Sequence, residues 1–161
     1  LAVYPFFQRE KALIEVKKMT ARESLLSVAA GVVFSLVLNV LFSVTGFINV
    51  SKQYQQVAEI QFALPFWLAC IFYGIVSPVA EEIVFRGIVY NALCRHTTQS
   101  VGIWGSALLF GAFHGNIVQM IYGSLMGVIM ACVYQRYRNL SASVLFHGAA
   151  NIAVYSMSYF F

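Results

Sequence analysis

From Ser24 to Val50 the chain carries no charged residue, and most of that run is apolar. About 20 such residues suffice for a helix to cross the hydrocarbon core of a bilayer. The run exceeds that length, so it predicts a membrane-spanning helix. Composition extends the constraint to the whole chain. Of its 161 residues 60% are apolar and 10% are charged, against a usual charged share of about 25%. A water-soluble domain of this size needs more charge to cover its surface. The length suits one domain.

Turn signals divide the rest. Residues 1–22 form a basic amphipathic arm suited to the membrane interface, with Ala12, Leu13, Ile14, Val16 and Met19 among charged residues at roughly helical spacing. Thr20-Ala21-Arg22-Glu23 reads as a capping box ahead of the first span. Residues 23–161 form a single transmembrane helical domain. Ser51 to Glu59 is a polar loop, and a second span runs from Ile60 to Val76. Pro78 lacks a backbone donor and is expected to kink the helix or start a new one. A charged helix then covers Val79 to Cys94, and the turn Arg95 to Gln99 is polar. A third apolar helix covers Ser100 to His114 and breaks at Gly115-Asn116. A fourth runs from Ile117 to Tyr134, ends at the basic turn Arg136 to Asn139, and a last one starts at Leu140. Gly123 and Gly127 form a GxxxG pattern that predicts close helix packing. No repeat, low-complexity tract or linker interrupts this order. The fold class is all-α: a polytopic transmembrane helix bundle.

Charge gives the bundle an orientation. Arg9, Lys11, Lys17, Lys18 and Arg22 crowd the arm, and Arg136 and Arg138 form a second cluster. This distribution suits anionic lipid headgroups. No soluble basic module is visible, which argues against nucleic acid as a partner. Placing the arm in the cytoplasm puts Arg95 and the Arg136/Arg138 turn on that side and leaves Lys52 alone outside, as the positive-inside rule requires. Cys70, Cys94 and Cys132 sit apart in apolar runs and read as small buried hydrophobes. Leu1 in place of Met suggests a chain cut at its start, and no secretory signal is recognisable.

Six carboxylates are present and none is Asp. Two of them, Glu81 and Glu82, are adjacent in an apolar helix, with Arg86 close behind. A charge at bilayer depth costs about 2.5–3.5 kcal/mol on insertion scales. Three in six residues therefore need partners or a use. Glu82 and Arg86, four apart, share a face and can pair. Glu81 lies about 100° around the helix and stays free to face a cavity. The competing reading sets this helix end at the interface, with both acids hydrated. His114 ends Phe110-Gly111-Ala112-Phe113-His114. His147 and Asn151 stand one turn apart on a common face. A lone histidine on an apolar face is usually a core residue, and His96 in the polar turn is a surface one. His114 and His147 differ, because Gly or Ala beside each clears space for the ring. Together the set can supply a hydrolytic site. A carboxylate with a nearby imidazole can deprotonate water. A second imidazole and a carboxamide can donate to an oxyanion. Ser77, Ser106 and Ser143 have no sequence context that suggests activation.

Glu81-Glu82-x-x-x-Arg86, Phe110-x-x-x-His114 and His147-x-x-x-Asn151, in that order, resemble the motifs of the CPBP family. These are the CAAX-protease and bacteriocin-processing membrane peptidases, also called the Abi family. The similarity covers Phe66 to Asn151. It implies a glutamate-dependent intramembrane endopeptidase, with 23–161 as its peptidase domain. By that analogy Glu81 activates the hydrolytic water with help from His114. His147 and Asn151 hold the oxyanion, and Glu82 and Arg86 support the site. Two His and a Glu can also bind zinc. The absence of an HExxH helix, and an Asn suited to an oxyanion hole, favour a site without metal, with zinc as the alternative. The short chain is most similar to bacterial members, which implies a bacterial cell membrane and a peptide or protein substrate held there, such as a pheromone, a bacteriocin leader or an anchored protein. The alternative is a non-catalytic membrane protein conferring bacteriocin self-immunity. A proton-coupled transporter is disfavoured by the few spans and the lack of repeat symmetry.

Overall fold

The computed structural model describes residues 18–160, the Phe62 side chain aside. Most of the interfacial arm therefore lies outside the described residues. Among those residues the chain is helical and has no strand. Its helices are α1 (Ala21–Val44), α2 (Lys52–Phe62), α3 (Phe66–His96), α4 (Gln99–Phe113), α5 (Ile117–Tyr137) and α6 (Leu140–Phe160). Helices α1, α3, α5 and α6 are long and apolar enough to cross a membrane. Helix α4, with 15 residues, is shorter. Leu25, Val33, Val37 and Leu41 on α1 face outward, as lipid-facing residues do. A polytopic helical membrane bundle is thus what the sequence builds.

The capping box before α1 forms as expected. Thr20 Oγ1 accepts from the Glu23 N–H at 3.2 Å, and Glu23 Oε2 accepts from the Thr20 N–H at 2.8 Å. The GxxxG of α5 meets Ala107 and Gly111 of α4, small residues at the same spacing. A Cβ on Gly127 would lie 2.9 Å from Ala107 Cα, and one on Gly111 would lie 2.3 Å from Met120 O. Gly115, at φ +72°, makes the turn between these two helices, and Asn116 caps α5 by accepting from the Gln119 N–H at 2.9 Å.

Two expectations need correction. Residues 51–59 are not a loop. Ser51 Oγ accepts from the Tyr54 N–H at 3.2 Å and starts α2. Helix α2 stops before Pro65, so the second span begins at Phe66 and not at Ile60. Pro78 also starts no new helix, because α3 continues through it. The chain accommodates the missing donor by widening to π spacing over Phe72–Val76, so that the Ser77 N–H bonds to Phe72 O, five residues back. Five residues on from Tyr73 stands Pro78, which has no N–H to give. The Tyr73 carbonyl is taken instead by Asn151 Nδ2 of α6, at 2.9 Å. Gly148 lets α6 come this close, since a Cβ there would stand 2.2 Å from Gly74 O.

The core gathers Phe85 of α3, Phe110 of α4, Met126 and Met130 of α5, and Phe146 and Ala150 of α6. Helix α1 closes over α6, where Gly31 approaches Phe146 O. The core stacks directly beneath the polar residues of α3.

Candidate active site

Glu82 and Arg86 are fully buried. Arg86 Nη1 donates to Glu82 Oε1 at 2.9 Å, and Nη2 donates to Gly127 O at 3.1 Å. The guanidinium lies over the Phe110 ring, 4.7 Å from its centre. A buried charge persists only when it is paired and hydrogen-bonded, and this pair meets both conditions. The i, i+4 spacing foretold it.

The other contact of Glu82 crosses to α6. His147 Nδ1 donates to Glu82 Oε1 at 3.0 Å. The ring is thereby turned so that its Nε2 stands 3.7 Å from Glu81 Oε2. Glu81 is not part of the Arg86 pair. Its Oε1 accepts from the Ser77 hydroxyl one turn back. The expected separation of roles on α3 therefore holds in space, with Glu82 inward on Arg86 and Glu81 toward open volume.

His114 sits at the end of α4. Its Nδ1 is 2.9 Å from Phe110 O, a carbonyl that can only accept, so Nδ1 carries the proton. In the neutral ring Nε2 is then an acceptor. Phe110 touches both imidazoles edge-on, with ring centres 5.1 Å from His114 and 5.5 Å from His147. Asn151 Nδ2 spends one N–H on Tyr73 O, and an amide nitrogen has a second.

A cavity of about 290 Å³ joins these groups. Glu81, His114, His147 and Asn151 all line it, from four points on three helices. The structure thus brings together the four residues that the sequence reading singled out. His147 is the imidazole beside Glu81, and His114 lines the same cavity without an ion pair to it.

The sequence comparison decides the family. Residues 63–153, more than half of the chain, match the family described as type II CAAX prenyl endopeptidase Rce1-like. The chain belongs to the Rce1-like family. The matched stretch contains all seven motif residues, and the resemblance to CAAX proteases is borne out. The chain is also 29% identical over 107 residues to YdiL of Bacillus subtilis (strain 168), named provisionally as a membrane peptidase. It is 29% identical over 92 residues to the UPF0177 protein YbdI of Lactococcus lactis subsp. lactis (strain IL1403). These alignments cover 66% and 56% of the chain but 43% and 49% of the two relatives, so it spans less than half the length of either. No solved structure matches the chain. The chain is an integral membrane protein of a membrane-peptidase family.

Two polar side chains of this Rce1-like site escaped the sequence reading. Ser77 was passed over for want of context, yet it holds Glu81. The signal was its i, i+4 spacing to that carboxylate. The second is Gln119, which also lines the cavity. Its orientation follows from Asn116. Asn116 Oδ1 accepts from the Gln119 N–H, so Asn116 Nδ2 is the donor that meets Gln119 Oε1 at 2.5 Å. That leaves the Gln119 NH₂ as the group available to a bound molecule.

Proposed function

We propose that the chain is an intramembrane endopeptidase that hydrolyses a peptide bond of a membrane-associated peptide or protein with water activated by Glu81. The observation that carries the reading is the separation of the two adjacent carboxylates. One is neutralised by Arg86, and its neighbour faces a cavity shared with two imidazoles and the Gln119 and Asn151 amides.

In this reading a substrate carbonyl enters the cavity beside Glu81. Glu81 takes a proton from water as the water attacks the carbonyl carbon. The neutral His114, with an accepting Nε2, steadies that water. His147 acts as an imidazolium, with Nδ1–H on Glu82 and Nε2–H free for the oxyanion. Asn151 offers its second N–H to the same oxygen. Preorganised donors of this kind are worth about 2.7–4 kcal/mol each in barrier height. Glu81, now protonated, returns its proton to the leaving amine. Glu82 and Arg86 act by holding His147. No metal is needed for these steps.

The test is cleavage of a mixed peptide library by the purified, detergent-solubilised protein. Loss of a general base costs about 10²–10⁴ in rate. Wild type should cut, Glu81→Gln should lose that factor while remaining folded, and a chelator should change nothing. Abolition by chelator would make the same residues metal ligands. No cleavage of any peptide, with wild type and Glu81→Gln alike, would favour the non-catalytic immunity protein.

A further inference from the structure

The cavity and the basic loops lie at opposite ends of the bundle. Chain direction shows this helix by helix. On α1 the cavity is lined by Asn39 and Phe42 near the C-terminal end, while Arg22 is at the N-terminal end. On α3 it is lined by Tyr73, Ser77 and Glu81 in the first half, and Arg95 is at the far end. On α5 it is lined by Val118, Gln119 and Tyr122 in the first turns, and Arg136 is in the last. On α6 it is lined from His147 to Ser158, while Arg136 and Arg138 precede the first turn. Four helices, two running each way, give one answer.

We infer that the site draws its substrate from the extracytoplasmic face, so that the bond it cuts belongs to an exported or outward-facing peptide segment. The step rests on the peptidase reading for the word substrate and on the charge pattern for the face. Among the described residues Lys18, Arg22, Arg95, Arg136 and Arg138 fall at the basic end, and Lys52 is the lone cation at the other. Loop cations of this bias stay in the cytoplasm. Glu81 itself lies midway along α3, so a peptide must reach inward from the mouth.

The mouth has its own roof. Tyr54, Ala58 and Gln61 of α2 stand at i, i+4 and i+7, and this one face lines the cavity. Tyr155 Oη donates to Gln61 O and Leu64 O, 3.3 Å each, and ties the end of α2 down to α6. Burial pushes the Tyr54 phenol above its usual value, which keeps it a neutral donor. With Asn39 and Ser158 the rim is polar but uncharged. Such a rim suits an apolar peptide segment whose backbone needs hydrogen-bond partners, and it offers no counter-charge to a strongly charged one.

Topology can be read without activity. In a background with Cys70, Cys94 and Cys132 replaced by Ala, single cysteines are placed at exposed Gln55 or Gln56 on α2 and at exposed Thr98 or Gln99 before α4. A membrane-impermeant maleimide is added to intact bacterial cells. Gln55→Cys and Gln56→Cys should label in intact cells, and Thr98→Cys and Gln99→Cys only after permeabilisation. The reverse pattern, or equal labelling of both pairs, overturns the inference. A second arm presents the peptide library to right-side-out and inside-out vesicles. Cleavage should be found in right-side-out vesicles and lost in Glu81→Gln. Cleavage confined to inside-out vesicles overturns the inference while sparing the peptidase reading. Expected labelling with no cleavage in either vesicle overturns the peptidase reading and the inference with it.

Discussion

His147 Nδ1 stands 3.0 Å from Glu82 Oε1, on an oxygen that also accepts from Arg86 at 2.9 Å. One carboxylate oxygen thus orients an imidazole and neutralises a guanidinium. The buried ion pair that makes charge tolerable at bilayer depth also aims His147 Nε2 at Glu81.

This linkage sets the cost of breaking the pair. Arg86→Met leaves the buried Glu82 carboxylate without its guanidinium, and Glu82→Gln leaves the buried guanidinium without its carboxylate. Each should lose about 3–5 kcal/mol of stability. The double variant Glu82→Gln/Arg86→Met should recover most of that, because no unpaired charge remains. Thermal unfolding in detergent reads the cycle. Activity separates from stability here: the double variant folds but no longer fixes His147, and its kcat should stay low. Full activity in a stable double variant would remove Glu82 from any positioning role.

Ser77 offers a milder probe. Its hydroxyl holds Glu81 Oε1, and one neutral-to-charged hydrogen bond contributes about 1.5–3 kcal/mol. Ser77→Ala should cost stability by up to about that amount, less where water reaches the cavity wall. Its kcat should fall by about tenfold, as 1.4 kcal/mol is tenfold in rate. Ser77→Thr keeps the hydroxyl and should restore most of the rate. A Ser77→Ala enzyme as fast as wild type would make the contact incidental.

Gln119 tests the orientation argument. Its NH₂ is left toward the cavity because Asn116 fixes its oxygen. If that NH₂ meets the substrate backbone, Gln119→Leu should raise KM several-fold with kcat little changed, the signature of lost uniform binding. Asn116→Ala should do the same indirectly and should also cost about 1 kcal/mol as a lost helix cap. Unchanged KM in both variants would leave Gln119 a bystander.

Much of this was legible along single helices. Spacing of four gave the Glu82–Arg86 pair and the shared face of His147 and Asn151, and small residues at spacing four gave the α4–α5 contact. What spacing within a helix cannot give is register between helices. For that reason spacing could not say which histidine ring stands nearer Glu81; the structure puts His147 Nε2 3.7 Å from Glu81 Oε2. The local answer to Pro78 was hidden for a related reason: its missing donor is made good from α6, by Asn151, which no local rule foresees. Helix α2 was hidden by its polarity. Its one inward face, Tyr54, Ala58 and Gln61, is too short and weak a stripe beside the apolar runs. The end of the bundle at which the cavity opens depends on all of these at once.

Asn151 has two jobs in this account, and they can be separated. One N–H fills the Tyr73 carbonyl that Pro78 leaves without a donor. The other is free for chemistry. Asn151→Ala should therefore lose stability of about 0.5–1.5 kcal/mol as well as rate. Pro78→Ala restores a backbone N–H five residues on from Tyr73, so in that background the stability cost of Asn151→Ala should shrink toward zero. The two substitutions are in contact through one carbonyl, so a coupling of about 0.5 kcal/mol or more is expected in a double-mutant cycle. The rate loss should not shrink, because an added backbone N–H on α3 gives nothing to the oxyanion. Equal recovery of stability and rate in Asn151→Ala/Pro78→Ala would mean that Asn151 is only a helix brace, and the oxyanion would then rest on His147 and Gln119.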